Sequence, residues 1–237
     1  MLKSVVHALS YPFPAPEHSF VYEKGGWRGL QISDFDLKQR IPVLAAGSNQ
    51  SPEQLIRKYA DYPEFGPIPA QRGQLFDFDV VYAAHLTGYG SIPATFQRSK
   101  GTIVTVFLLW LNERQLTRMH ETEGNYTYDR LPNLKLILDE GGKFSESAYA
   151  YSAKYGCYNY GGNCVSLEQI FAKKRKFPAF TQAQALETVR DQLIAGVELE
   201  FFVEQLITKP TKRLNFSKKL RRRAIAAKYK RETILVL

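Results

Sequence analysis

The sequence predicts an α+β fold, and three observations support this prediction. Stretches with strand periodicity outnumber helical stretches in the middle of the chain. Turns rather than helices join most of these strands, as in antiparallel sheets whose helices lie to one side or end. The chain has 237 residues, of which 44% are apolar and 13% aromatic, enough to bury the core of one large domain.

The order of these patterns divides the chain into three parts. Residues 1–39 are rich in Pro, Gly and aromatic residues without a long periodic stretch, which predicts an irregular N-terminal extension. Residues 40–208 carry the strand and helix patterns and are predicted to form the folded domain, with helices at its C-terminal end. Residues 209–237 are predicted to form a basic tail.

The first strong pattern is a strand followed directly by a helix. Residues 41–45 are a short apolar run, and Gly47, Ser48 and Asn49 come after it. Ser51 is a suitable N-cap, the next residue is a proline that suits the first helical position, and a glutamine three residues after the serine completes a capping box. The Gly-Ser-Asn triplet is therefore predicted to lie in a tight strand-to-helix turn.

Five further elements follow in chain order. The alternation in residues 75–86 predicts a half-buried strand, and the β-branched run in 102–111 predicts a strand buried on both faces. An Asn-x-x-Gln cap predicts a short helix over 112–122. Residues 134–153 read as a hairpin with a Gly-Gly turn, and 181–207 as helix that begins after a threonine cap and stops before a proline.

Composition argues against several classes of protein. The longest apolar run, residues 103–111, is far shorter than the roughly 20 residues that cross a bilayer, and the N-terminus is a poor signal peptide, which predicts a cytoplasmic protein. Two cysteines, Cys157 and Cys164, do not imply a disulfide framework, so free thiols are expected. The four histidines are scattered without ligand spacing, so no metal site is predicted.

The Gly-Ser-Asn turn is the first candidate binding site. The N-terminus of a helix offers unpaired backbone N–H groups that bind a carboxylate or a developing oxyanion. Gly47 would let a ligand approach the backbone, and Ser48 and Asn49 would add short hydrogen-bonding side chains. The alternative is a plain turn made of turn-forming residues.

Glu123 is the candidate base, because it follows the C-terminal end of the helix predicted over 112–122. The partial negative charge at this end disfavours a second negative charge, a setting that suits a carboxyl group that exchanges protons. Tyr126, Tyr128 and Arg130 are candidate walls of such a site. The alternatives are a solvated glutamate, and a tyrosine–arginine alternation that only opens the next strand.

Three motifs in this order resemble the γ-glutamylcyclotransferase-like family. They are Gly-Ser-Asn after a strand, "PATF" (93–96) before a glycine and a buried strand, and "LTRMHETEG" (116–124) ending in Glu-Gly. The family pattern runs Tyr-Gly-Ser-Asn, a central Ala-Thr strand and Leu-Asp-x-x-Glu-Gly. The resemblance covers about residues 40 to 155.

The resemblance implies a compact mixed β-barrel flanked by helices. It also implies a reaction without metal or cofactor, in which a γ-glutamyl amine or peptide cyclises to 5-oxoproline and releases an amine. Glu123 would then be the general acid/base, and Gly47, Ser48 and Asn49 would hold the γ-glutamyl group. The substrate's own amine is the nucleophile, so correct positioning can contribute about 7–11 kcal/mol to lowering the barrier.

The chain departs from the family pattern at two places. Ala46 stands where the family has the tyrosine before Gly-Ser-Asn, which removes a pocket wall or a hydrogen-bond donor. Met119 and His120 replace the Leu-Asp pair. A non-catalytic protein that binds a small ligand is therefore an alternative.

The basic charge is concentrated at the C-terminal end. Residues 209–237 contain 11 Lys/Arg and one acidic residue, whereas the rest of the chain contains 21 Lys/Arg and 22 Asp/Glu. A helix from Ser217 would place apolar residues along one side. This segment predicts a weak contact with a polyanion, and an RNA-binding protein is the alternative function; a solvated tail is the alternative structure.

Overall fold

A large mixed β-sheet and six α-helices form residues 2–237, the part of the chain that the computed structural model describes. The helices are α1 (Lys3–Leu9), α2 (Pro52–Tyr59), α3 (Glu113–Glu121), α4 (Gln182–Leu193), α5 (Leu199–Thr208) and α6 (Pro210–Arg221). Three short 3-10 helices span Ile32–Asp34, Ser48–Gln50 and Pro63–Phe65. The α+β prediction is confirmed.

The sheet contains 13 strands. They are β1 (Phe20–Glu23), β2 (Gly26–Gly29), β3 (Ile41–Ala45), β4 (Ile68–Tyr82), β5 (Ala94–Leu111), β6 (Tyr126–Leu131), β7 (Leu136–Leu138), β8 (Gly142–Phe144), β9 (Ala148–Ala153), β10 (Ser166–Leu167), β11 (Ala172–Lys173), β12 (Ala179–Phe180) and β13 (Glu232–Val236). Its centre is the long antiparallel hairpin of β4 and β5.

The sheet is open, so the expectation of a closed β-barrel is wrong. The main path runs β12-β10-β4-β5-β3-β9-β6-β13, and within residues 2–237 its two end strands pair only with β10 and β6. The edge strand β12 has only two residues, and the side chains of β13 are exposed. A barrel would need these two edges to pair with each other.

Strand β5 divides the hydrophobic core into two clusters. Val104, Val106 and Leu108 pack in the cluster that the C-terminal helices cover, and the residues between and beyond them, such as Phe107 and Leu109, pack in the cluster under α2 and α3. The alternation follows from the period of two in a strand. The prediction of a strand buried on both faces is confirmed.

The first 39 residues differ from the irregular extension that was expected, apart from Met1, which lies outside the described residues. Helix α1 buries Val5 and Ala8 in the same cluster as α5. Strands β1 and β2 form a hairpin, and β1 pairs with β4 with Val21 opposite Pro69. These elements were not predicted in this Pro- and Gly-rich segment, because each element is too short to show a periodic pattern.

The C-terminal part also differs from the predicted helix boundaries. Thr181 caps α4 as expected, with its side chain accepting a hydrogen bond from the amide of Gln184. Helix α5 ends at Thr208, just before Pro210 as predicted, but the predicted helical stretch is interrupted between Leu193 and Leu199. Pro210 is also the first residue of α6 and fits there since that position needs no N–H partner. Helix α6 therefore begins seven residues before Ser217.

The predicted hairpin over 134–153 is confirmed only for its first part. Strands β7 and β8 pair around the Gly-Gly turn, but β9 pairs with β6 and, in parallel, with β3.

Within residues 2–237, no helix has the length and apolar character needed to cross a membrane.

Cys157 and Cys164 form a disulfide, so the expectation of free thiols is wrong. Between them, Gly161 and Gly162 adopt positive φ angles of 57° and 87°, and Tyr160 and Asn163 exchange backbone hydrogen bonds. Such a two-residue turn with positive φ at both positions brings the flanking chain together. The Cys-x-x-Tyr-Gly-Gly-Asn-Cys pattern was therefore the available signal for a cross-linked hairpin.

Candidate functional site

A cavity of about 380 Å³ lies between the end of β3, helix α2, the end of α3 and the loop that joins β4 to β5. Five of the residues that the sequence singled out for a role in binding or catalysis line it: Gly47, Ser48, Asn49, Glu123 and Tyr126. They are more than 70 residues apart in sequence at the extremes, and the pairing of β3 with β9, and of β9 with β6, brings their elements side by side.

Glu123 is held by an ion pair and a hydrogen bond on one carboxylate oxygen. Lys58 Nζ lies 2.7 Å from Glu123 Oε1, and Asn49 Nδ2 donates to the same oxygen at 3.0 Å. Lys58 also donates to Asn49 Oδ1 at 2.7 Å, which closes a triangle of three side chains. Within residues 2–237 only Oε1 accepts hydrogen bonds, so Oε2 is left for a ligand.

The end of α3 fixes the position of this carboxylate. A capping box between Asn112 and Gln115 starts the helix, and Thr122 is its C-cap. The Glu123 amide then donates to the His120 carbonyl at 3.1 Å, which turns the side chain back towards α2. Only 11% of the Glu123 side chain is exposed, so its interactions act in a low-dielectric setting.

Gly47 is a glycine because another side chain approaches it closely. Its φ of −123° is available to any residue. A Cβ atom at this position would lie 2.5 Å from the Tyr11 hydroxyl oxygen and 3.0 Å from the Ala94 Cβ. The space that the sequence assigned to a ligand beside Gly47 is therefore filled by Tyr11.

Four tyrosines line the cavity: Tyr11, Tyr89, Tyr126 and Tyr151. Burial is the main cause that raises the pKa of each hydroxyl, so all four stay protonated at neutral pH. Tyr126 donates to the Ala94 carbonyl at 3.0 Å, and the Tyr151 hydroxyl lies 2.9 Å from His120 Nδ1. Ala46 also lines the cavity and leaves room where a larger side chain would stand.

The cavity is lined by charged side chains of both signs and by one uncharged histidine. Arg57 and Arg118 line it together with Lys58 and Glu123. Burial, followed by the nearby positive charge of Arg221, lowers the pKa of His85 to about 3, so this ring is uncharged at neutral pH. The cavity can therefore bind an anionic group while it keeps one fixed carboxylate.

Two candidates from the sequence lie elsewhere. Tyr128 packs against His120 and Tyr149, and Arg130 faces outward and pairs with Glu232. For these two residues the alternative holds, because the alternation belongs to strand β6. Within residues 2–237, no group of three or more His, Cys, Asp or Glu side chains is placed to hold a metal ion.

Sequence reasoning missed several residues of the cavity, and three of them show the reasons. Lys58 lies on the last turn of α2, nine residues after Asn49, and only the packing of α2 against α3 takes it to Glu123. Tyr11 comes from the N-terminal segment, which showed no periodicity. His85 follows strand β4 as a lone histidine, and nothing in the sequence distinguishes it from a core residue.

No family model and no curated protein matches this chain. Among solved structures, it is similar to an uncharacterized human protein refined as an ensemble, at 16% identity, with 83% of this chain and 94% of that chain covered and a TM-score of 0.40. A protein named gamma-glutamyl cyclotransferase is similar at 16% identity, with 82% and 93% covered and a TM-score of 0.38.

Proposed function

We propose that this protein is a cyclotransferase that converts a γ-glutamyl amine or peptide to 5-oxoproline and a free amine. The observation that carries the proposal is the contact between Asn49 and Glu123 inside the cavity. A buried carboxylate with one oxygen fixed and one free is suited to proton transfer. The cavity volume of about 380 Å³ is also typical of small-molecule sites.

The chemistry needs one base that later becomes an acid. Glu123 Oε2 takes a proton from the substrate's α-ammonium, and the freed amine attacks the γ-carbonyl carbon. A carbon–nitrogen bond forms in the five-membered ring, and the bond to the leaving nitrogen breaks as Glu123 returns the proton to it. The ring nitrogen still carries two protons at that point, and the same carboxylate moves the second one to the released amine, which leaves as an ammonium ion. No atom or electron is supplied from outside the substrate and this carboxyl group.

Lys58 and Asn49 support this role by holding Oε1. The carboxylate cannot rotate freely while Oε1 is fixed by an ammonium and an amide, so Oε2 keeps one direction. A base held within hydrogen-bond reach of the substrate amine acts without reorganisation. Ser48 and Asn49 lie beside it on the turn and would bind the γ-glutamyl group.

Replacing Glu123 with glutamine tests the proposal. Glu123→Gln keeps the size of the side chain but cannot accept a proton at neutral pH, so release of 5-oxoproline should fall about 10²–10⁴-fold. Glu121→Gln is the matched control, because Glu121 is 57% exposed and pairs only with Arg118. Both variants and the wild type would be assayed on a panel of γ-glutamyl amines and peptides.

Two results would contradict the proposal. Equal turnover by the wild type and Glu123→Gln would show that the carboxylate is not the base. No turnover of any panel member by the wild type would leave a cavity that binds a ligand without converting it.

The C-terminal charge supports a second candidate function, binding of single-stranded RNA. Among residues 2–237, the ion pairs that involve the segment 209–237 are Arg231 with Asp129 and Glu232 with Arg130. The ten other basic residues of this segment form no ion pair: Lys209, Lys212, Arg213, Lys218, Lys219, Arg221, Arg222, Arg223, Lys228 and Lys230. Unneutralised cations of this density attract phosphate groups.

Some of these cations lie at a second cavity and against an exposed aromatic ring. Lys219, Arg222 and Arg223 line a cavity of about 300 Å³ together with polar side chains. Next to it, the Arg221 guanidinium stacks on Tyr155 at 4.0 Å, and this ring is 45% exposed. A cation beside an exposed ring is an arrangement on which a base could stack.

Charge reversal tests the RNA-binding candidate without removing any element of the fold. The triple variant of Lys219, Arg222 and Arg223 to Glu should bind polyuridine RNA more weakly, with a log–log salt slope smaller by about 3. A control triple variant changes three exposed lysines elsewhere to Glu: Lys24, Lys38 and Lys143. If both triple variants lose the same affinity, only net charge matters and the surface is not a site.

A further inference from the structure

The Tyr11 hydroxyl is a buried polar group inside the candidate site that the proposed reaction has not yet used. Tyr11 is 2% exposed, and it lies outside residues 40–155, which carry the motifs. The Ala94 amide donates to its hydroxyl oxygen at 2.7 Å, and the same oxygen occupies the space beside Gly47.

The hydroxyl oxygen accepts, and its own proton remains free. The backbone amide of Ala94 donates to it, and burial is the main cause that raises the pKa of Tyr11, so the hydroxyl keeps its proton at neutral pH. No group among residues 2–237 accepts the Tyr11 proton. Since Tyr11 lines the cavity, this proton is available to a ligand there. A hydroxyl whose oxygen accepts a hydrogen bond is polarised by it and becomes a stronger donor.

The segment that carries Tyr11 is packed firmly against the body. Ala8 is fully buried, and Ser91 Oγ donates to its carbonyl at 2.6 Å. His7 and Phe13, which flank Tyr11 in sequence, stack their rings with centroids 4.6 Å apart. The hydroxyl is therefore a fixed part of the site rather than a strap that opens.

We propose that Tyr11 is a catalytic residue that donates a hydrogen bond to the ligand's γ-carbonyl oxygen as the amine adds to the carbon. This inference rests on the proposed cyclotransferase function. Negative charge grows on that oxygen when the new carbon–nitrogen bond forms and disappears when the leaving amine departs. Tyr11 keeps its proton throughout, so the step adds no further atom to the balance.

The choice of a carbonyl oxygen over a carboxylate follows from the charges of the cavity. A carboxylate carries a full charge and is matched by a cation, and Arg57 lines the same cavity. A neutral hydroxyl that is fixed by the Ala94 amide suits an oxygen whose charge develops only during the reaction.

Tyr11→Phe tests the inference, because it removes only the hydroxyl group. We expect kcat to fall about 10²–10³-fold, as for the loss of one oxyanion donor, while KM changes much less. Tyr82→Phe is the matched control, since Tyr82 is also buried and donates to the Phe180 carbonyl at 3.0 Å, away from the cavity. Thermal denaturation of both variants would show whether each is folded.

The outcomes separate this inference from the proposed function. If the wild type is active and Tyr11→Phe keeps its kcat, or raises only KM, the donor role is wrong and the cyclotransferase stands. If the wild type is inactive, the cyclotransferase falls, and calorimetric binding of 5-oxoproline decides about Tyr11. Weaker binding by Tyr11→Phe then supports a donor to a ligand carbonyl, whereas equal binding, or none by either protein, overturns it.

Discussion

His85 is a residue whose charge the surrounding fold controls. It is 2% exposed beside the cavity, and its ring meets the Tyr126 ring edge-on at 5.3 Å. Burial lowers its pKa from 6.5 to about 3, and the charge of Arg221 acts in the same direction. The folded protein therefore holds this ring neutral at pH values where the unfolded chain protonates it.

This difference predicts an acid-sensitive stability. Between pH 6.5 and about 3 the unfolded chain binds one more proton at His85 than the folded protein, so the free energy of unfolding falls as pH falls. The slope from this residue is at most about 1.4 kcal/mol per pH unit. Urea unfolding of the wild type and His85→Gln from pH 7 to 4 would measure it. Packing losses in the variant do not depend on pH, so parallel curves would contradict the assignment.

The individual site residues show what the sequence can reveal. Gly47, Ser48 and Asn49 could be found because a local turn signal marks them, and Glu123 because it follows a capped helix. Their approach to one another could not be found, since it depends on strands that pair across the chain. The sequence also could not explain why position 47 is a glycine, because Tyr11, whose side chain lies against it, is 36 positions earlier in the chain.

At the scale of elements, long periodic stretches were predictable and short ones were not. Strand β5, with 18 residues, was predictable from its β-branched content and its length. Strands β10, β11 and β12 have two residues each, too few to carry a period. Pro210 was predicted to stop a helix, and α5 does end at Thr208, but the start of α6 at the same proline was missed because a proline both ends helices and begins them.

Strand β13 is the element that the composition of the chain concealed most. Its side chains are exposed, but it follows Arg231, which donates to the fully buried carboxylate of Asp129 at 2.8 Å. Thr233 donates to the other oxygen of the same carboxylate at 2.8 Å. Removing the partners of a buried charge is strongly destabilising. Arg231 and Thr233 therefore stabilise β6, in addition to the pairing of β13 with the edge of β6.

At the scale of the whole molecule, the net charge of residues 209–237 indicated a basic surface but did not indicate how this segment packs. The excess of Lys/Arg in residues 209–237 suggested a tail, because charge runs are usually solvated. The apolar residues between the cations determine the packing: Phe216 and Leu220 are buried in the cluster that also holds Phe202. A basic helix can bury one side and still present its cations to solvent.

Removal of residues 209–237 tests this view of the whole chain. The truncated protein loses the apolar side of α6, the hydrogen bond from the Leu86 amide to Ser217 Oγ, and the hydrogen bonds of Arg231 and Thr233 to Asp129. We expect it to lose cooperative thermal unfolding and near-ultraviolet circular dichroism, since a buried carboxylate that loses its cationic partner alone costs about 3–5 kcal/mol, much of a typical domain's stability. The triple charge-reversal variant of Lys219, Arg222 and Arg223 keeps these contacts and should melt near the wild-type temperature. A truncated chain that melts like the intact protein would show that residues 2–208 fold alone and that the segment is an appended tail.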